Sequence, residues 1–140
     1  MSISICINNE TDYHPNFDIS SFITSATTQK KIKTASFEIT FIDDTMMTDL
    51  HKKHLNRPTS TDIVTFNLNT EIEPEGDIYI CIDEAKRNSK IHNISLETEI
   101  KTLILHGILH CIGFTDQSKK EQKIMFDEQE RLLQLINSYK

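Results

Sequence analysis

Apolar and polar positions along the chain change period several times, and each change predicts an element. Residues 2–8 alternate as a half-buried strand does, and residues 36–42 place Phe37, Ile39 and Phe41 on one side of a second strand. Residues 62–68 and 77–82 read as a third and a fourth strand. The polar stretch between them, residues 69–76 with Pro74, reads as an exposed hairpin loop. Helical spacing covers residues 17–30, and Asp43 or Asp44 can cap a helix running to about His54. His51 and His54 on that helix have lysine neighbours and are expected to face solvent. Residues 83–90 predict a short helix, and Ser95 with Thr98 and Glu99 opens another. The latter is apolar nearly all round from Ile100 to Ile112, so it should be central and buried. Residues 119–138 carry Ile124, Met125, Glu128, Leu132, Leu135 and Ile136 and should pack their apolar stripe on the rest, with Met125 in the core. The order β-α-β-α-β-β-α-α-α predicts an α+β fold, a small mixed four-stranded sheet packed with about five helices. At 140 residues the chain suits a single domain spanning 1–140, with one core.

The buried helix carries the chemistry. His106 and His110 stand four apart, so their imidazoles leave one helical face about 6 Å apart at Cβ and can pinch one ion. No carboxylate lies between them to satisfy two buried rings, which makes burial without a partner costly. Gly113 can take the left-handed conformation that ends a helix and turns the chain back, bringing Asp116 within reach as a third ligand. Ser118 and Glu121 already form a capping-box pattern for the last helix, which leaves Asp116 free. Three protein ligands with a fourth position for water is the pattern of a catalytic zinc site, so one Zn2+ per chain is expected on His106, His110 and Asp116. Gly107 costs about 1 kcal/mol relative to alanine in mid-helix. Close packing against another backbone, or room for substrate over the ion, is its expected compensation.

Gly107 also stands where peptidases of the H-E-x-x-H type carry their glutamate base, so the peptidase reading lacks its base. The pattern H-G-x-L-H-x-x-G-F-x-D, preceded by Thr61-Asp62-Ile63-Val64-Thr65-Phe66 and Gly76-Asp77-Ile78-Tyr79-Ile80, resembles instead the YbeY family of bacterial metal-dependent endoribonucleases, the rRNA maturation factors. That resemblance implies zinc on His106, His110 and the residue ten after His106. The family most often has histidine there, and this chain has Asp116, with Thr115 where an aspartate is more usual. A carboxylate ligand leaves the ion less positive and less able to acidify water. The resemblance further implies an arginine that holds or activates RNA shortly before the Thr61 block, a role carried to Arg57, whose alternative is a solvated loop arginine. It also implies single-stranded RNA as substrate, specifically rRNA, the small ribosomal subunit as partner, and a role in small-subunit rRNA 3′-end maturation and ribosome quality control. DNA is not expected as a substrate.

Composition pulls against a nucleic-acid partner. There are 15 basic and 21 acidic side chains, a net charge of −6, where an RNA-binding surface usually shows an excess of Lys and Arg. The basic residues do cluster, at Lys30-Lys31-Lys33, Lys52-Lys53-Arg57, Lys86-Arg87-Lys90 and Lys119-Lys120-Lys123, and only their convergence around the ion would make a substrate groove. Cys6, Cys81 and Cys111 are odd in number, widely separated and in apolar segments, which suits reduced core thiols; Cys111 should point away from the ion. With no apolar run near 20 residues and no signal-peptide pattern, a cytoplasmic protein without a membrane span is expected. The expected mechanism is zinc-assisted phosphodiester cleavage. Two other readings remain: a metal-dependent hydrolase of a peptide or amide, and a non-catalytic ribosome-associated protein with structural zinc, whose ion would be enclosed by four ligands.

Overall fold

A computed structural model describes residues 2–54, 61–69 and 73–138. Its elements are β1 (Ser2–Asn9), α1 (Ile19–Gln29), β2 (Thr34–Ile42), α2 (Asp44–His54), β3 (Ile63–Asn69), β4 (Glu75–Cys81), α3 (Ile82–His92), α4 (Leu96–Cys111) and α5 (Lys119–Ser138). The four strands form one sheet in the order β1-β2-β4-β3. β1, β2 and β4 run parallel, and β3 pairs antiparallel with β4. The fold is the mixed-sheet α+β arrangement that the alternating periods predict.

One face of the sheet carries the main core, and α2 covers part of the other. Phe37, Ile39, Phe41, Ile78 and Ile80 are buried, while Ser36 and Glu38 between them are exposed. The covering layer is built on α4, where Ile100, Ile104, Leu105, Ile108 and Leu109 are almost wholly inaccessible. α1 and α5 complete that layer with Phe22, Ile23, Met125 and Leu132. A smaller cluster of Ile42, Met47 and Cys81 lies under α2.

Local chemistry sets the boundaries. Asp18 accepts the Ser21 N–H at 3.0 Å, so α1 starts after it rather than at residue 17. Asp43 accepts the Met46 N–H at 2.9 Å and caps α2. Ser95 accepts the Thr98 N–H at 3.0 Å and caps α4. Ser118 and Glu121 exchange hydrogen bonds at 3.1 Å in each direction, the capping box of α5. Glu128 on α5 pairs with Arg131 at 2.6 Å and also with Lys30 just past α1, and these cations hold its carboxyl at about 2.

Three expectations are corrected. His51 does not face solvent: it is 5% exposed, and its Nε2 meets the Thr61 hydroxyl at 2.8 Å. His54 is exposed as expected. Pro74 and Gly76 are not in an exposed loop, because Ser36 N–H binds the Pro74 carbonyl at 2.9 Å and draws both residues into the buried start of β4. Ile124 does not join the stripe of α5; it is 50% exposed. Among the described residues, no helix is long and apolar enough to cross a membrane.

Two glycines set how closely α4 lies on β4. A Cβ on Gly107 would meet Ile78 side-chain atoms at 2.8 to 3.1 Å, so the glycine makes room for a side chain, not for a backbone or a substrate. A Cβ on Gly76 would be driven into Cys111 Sγ and would sit 3.4 Å from the Phe66 carbonyl. Gly76→Ala is therefore expected to destabilise the fold by about 2 kcal/mol through overpacking. Adding Cys111→Ala should recover part of that loss. Urea unfolding of both single variants and the double variant would show this as a favourable coupling energy, and strict additivity would contradict it.

Candidate metal centre

α4 ends where the chemistry begins. Gly113 takes φ +107°, Phe114 N–H reaches back to the Leu109 carbonyl at 3.0 Å, and Gly113 N–H reaches the His110 carbonyl at 3.2 Å. This is the paired hydrogen-bond pattern by which a left-handed glycine closes a helix and reverses the chain. The reversed segment is tied to the start of α5: Thr115 donates its hydroxyl to Glu121 Oε2 at 2.6 Å, and Gln122 Nε2 donates to the Asp116 carbonyl at 3.0 Å. Asn67 on β3 donates to the His110 carbonyl at 3.0 Å, fixing the helix end to the sheet edge.

The three side chains expected to act together do converge. His106 Nε2 and His110 Nε2 are 3.1 Å apart, and Asp116 Oδ2 lies 3.9 Å from the first and 3.6 Å from the second. Ligands at 2.0–2.2 Å in a tetrahedral arrangement stand about 3.3 Å from one another, so one zinc-sized cation fits among these atoms.

The hydrogen bonds behind the rings decide what this cluster can hold. His106 Nδ1 lies 2.6 Å from Gln129 Oε1, and an amide oxygen can only accept, so the ring proton belongs on Nδ1. The His110 ring hydrogen-bonds the Phe114 backbone. Both Nε2 atoms then present lone pairs to each other beside a carboxylate oxygen, a trio of acceptors that a shared cation reconciles. His110 is held below its ordinary pKa, first by burial and then by the neighbouring His106, with Asp116 opposing. Its ring stays neutral, and so available to a cation, at lower pH than an exposed histidine would. The side chains of His106, His110 and Asp116 are 26%, 22% and 49% exposed, so the cluster opens to solvent on one side.

Gln129 is the site residue that the sequence reading missed. It is 8% exposed, and it sits in the buried face of α5 among Met125, Leu132 and Leu133. A polar residue at an apolar position was the available signal. Arg57 lies outside the described residues. Cys111 points away from the cluster as expected; it is buried against Gly76, and burial pushes its thiol up to about 12. Met125 is core, 1% exposed.

A second convergence, Asp44, Cys81 and Asp83, is committed to protein contacts. Arg87 grips Asp44 through two nitrogens at 2.7 and 3.0 Å, and Asp83 accepts the Asp44 N–H at 2.9 Å. Three members of the basic clusters are likewise tied to acids, Lys30 to Glu128, Arg87 to Asp44 and Glu84, and Lys123 to Asp127.

Beside His106 a cavity of about 540 Å³ opens between α4 and α5. Asp62 and Glu99 lie in its wall, both raised in pKa chiefly by burial, which the His106 charge opposes at Asp62 and His92 opposes at Glu99. Lys and Arg are missing from this lining among the described residues, so the basic clusters do not converge there.

Known proteins resemble this chain along most of its length. The family profile of endoribonuclease YbeY matches residues 6–137. An endoribonuclease YbeY of Flavobacterium psychrophilum is 27% identical over 135 residues, covering 95% of this chain and 96% of the relative. One from Staphylococcus saprophyticus is 32% identical over 132 residues, covering 86% and 84%. One from Acholeplasma laidlawii is 35% identical over 103 residues, covering 73% and 75%. The solution structure of TM1509 from Thermotoga maritima shares the fold with a TM-score of 0.67 at 22% identity, over 94% of this chain and 88% of that one.

The Gln129 bond gives a direct check on the cluster. Gln129→Leu should keep the fold but weaken zinc binding roughly tenfold to a hundredfold, the usual effect of losing the group that orients a ligand histidine. Competition with a chromophoric chelator measures this, and unchanged affinity would detach Gln129 from the site.

Proposed function

The chain belongs to the endoribonuclease YbeY family, and from that membership we propose that it is a zinc-dependent endoribonuclease cutting single-stranded RNA in the cytoplasm, in small-subunit rRNA 3′-end maturation and ribosome quality control. The observation that carries the metal dependence is the trio of acceptors on His106, His110 and Asp116, whose ring protons are spent behind the cluster on Gln129 and Phe114.

The roles of the residues follow from their positions. His106 and His110 would hold the cation from one face of α4, and Asp116 would close the set from the reversed chain. Gln129 would fix the His106 ring and its tautomer. When bound, the cation supplies Lewis acidity toward a phosphoryl oxygen and toward water. Asp116 in a position more often held by histidine lowers the charge left on that cation.

Gly107 offers no base, so a proton must leave by another route. Asp62 lines the cavity that reaches His106, and burial raises its pKa above the ordinary carboxylate value, the direction that makes a carboxylate a better proton acceptor. Arg57 is proposed to contact the RNA backbone, on the family pattern alone. An unpaired strand suits the site because its backbone can bend over one helix end.

The exposure of the three side chains argues against a structural zinc, which four enclosing ligands would bury. The missing glutamate at Gly107 argues against peptide hydrolysis.

His110→Ala should remove bound zinc and abolish RNA cleavage, while circular dichroism and the melting temperature stay close to those of the parent protein. Elemental analysis showing one zinc per chain retained in that variant would refute the ligand assignment. Zinc-loaded protein should digest single-stranded RNA and spare DNA and casein, and chelation should stop the digestion; activity that survives chelation would refute metal dependence.

A further inference from the structure

The cavity beside His106 is framed by two facing helical stripes. From α5 come Phe126, Gln129, Glu130 and Leu133, at intervals of three, four and seven residues from the first, and so on one face. From α4 come Glu99, Thr102, Leu103 and His106. Gln129 is the residue that holds His106, and Phe126, three residues before it, lies within one helical turn of it, about 5 Å along the axis, and lines the same cavity as His106.

Phe126 is 52% exposed, an aromatic face left open to solvent in a cavity whose other walls are three acids, His92 and His106, neutral polar groups and aliphatic side chains, with no Lys or Arg among the described residues. Single large apolar residues on a surface are ordinary, but this one borders the site where a phosphodiester would be cut. The charge of the lining selects among occupants. Asp62, Glu99 and Glu130 repel phosphate, whereas a neutral heterocycle with N–H groups at its edge complements them. Glu130 lies four residues after Phe126 on the same helical face and lines the same cavity, within reach of the edge of a base stacked on Phe126.

We propose that this cavity is a nucleobase pocket, receiving the unpaired base next to the cleaved phosphodiester, with that base stacked on Phe126 and its edge N–H groups bound by Glu130. Guanine is the base that fits best, because its ring N–H and amino N–H lie side by side and match the two oxygens of one carboxylate. The assignment rests on the endoribonuclease reading for the identity of its ligand, and it adds a sequence preference to it.

The chain contains no tryptophan, so Phe126→Trp places a single reporter in the pocket. Titrated with 2′-O-methyl oligouridylates carrying one central G, A, C or U and checked to be intact at the end of the titration, the fluorescence of this variant should be quenched saturably, with G bound about tenfold tighter than U. Phe126→Ala should raise KM for single-stranded RNA about tenfold with kcat within twofold, as expected for loss of one base–aromatic stack. Glu130→Gln should keep the quenching and lose the preference for G. Unchanged KM in Phe126→Ala, absence of quenching by every oligonucleotide, equal affinity for all four, or quenching by a lysine-rich peptide in their place would each overturn the pocket while leaving RNA cleavage by the parent protein standing. If the parent protein fails to cleave RNA yet the tryptophan is quenched with G preferred, the endoribonuclease reading falls and the pocket survives.

Discussion

The close approach of α4 to β4 is the constraint on which the rest of the molecule depends. The chain has only three glycines, and all three serve this one helix. Gly107 admits the Ile78 side chain, Gly76 admits Cys111 Sγ, and Gly113 turns the chain at the end of α4. Gly107 and Cys111 stand one turn apart on α4, while Ile78 and Gly76 are alternate residues on the covered face of β4, so helix and strand run antiparallel and mesh at two successive points. Interiors pack near crystal density, so a helix held at two such points has little freedom to slide or roll. His106 and His110 inherit that rigidity, since they leave the same helix on the side turned towards α5 and the reversed chain.

The centre is then completed by parts that are distant in sequence. Gln129 reaches from α5 to one ring, the Phe114 backbone binds the other, and Asn67 on β3 anchors the end of α4. The segment carrying Asp116 is held by Glu121 and Gln122 from the first turn of α5. Each contact is polar and local, yet together they preset the acceptors before any cation arrives, so less ordering remains to be done on binding. Asp62, Glu99 and Glu130 line the cavity beside this centre, and no Lys or Arg among the described residues offsets them there.

The legibility of this arrangement in the sequence followed the reach of each interaction. The ligand trio was readable because its members lie within eleven residues and obey local rules: a spacing of four on a helix, a glycine stop, and a capping box that spares Asp116. The sheet and the five helices were readable for the same reason, since periodicity and caps are short-range signals. Gln129 was not, because its partner lies 23 residues away on another helix, and its one local sign, a polar residue in an apolar stripe, does not name that partner. His51 misled because its lysine neighbours suggest solvent, whereas it is buried and meets Thr61, ten residues on. Pro74 and Gly76 look like turn residues until β2 pairs with the segment. The compensation for Gly107 was anticipated as close packing, but its partner is an isoleucine side chain and not a backbone.

Cys111 follows directly after one of the proposed ligands, where a reactive sulfur would endanger the site. Its Sγ is wedged against Gly76, and its thiol stays protonated far above neutral pH. Peroxide attacks the thiolate, and only where it can reach it. The glycine that permits tight packing thus also keeps this sulfur away from solvent and protonated, whereas a solvent-facing cysteine in the same place would be open to sulfenic acid formation beside the imidazole.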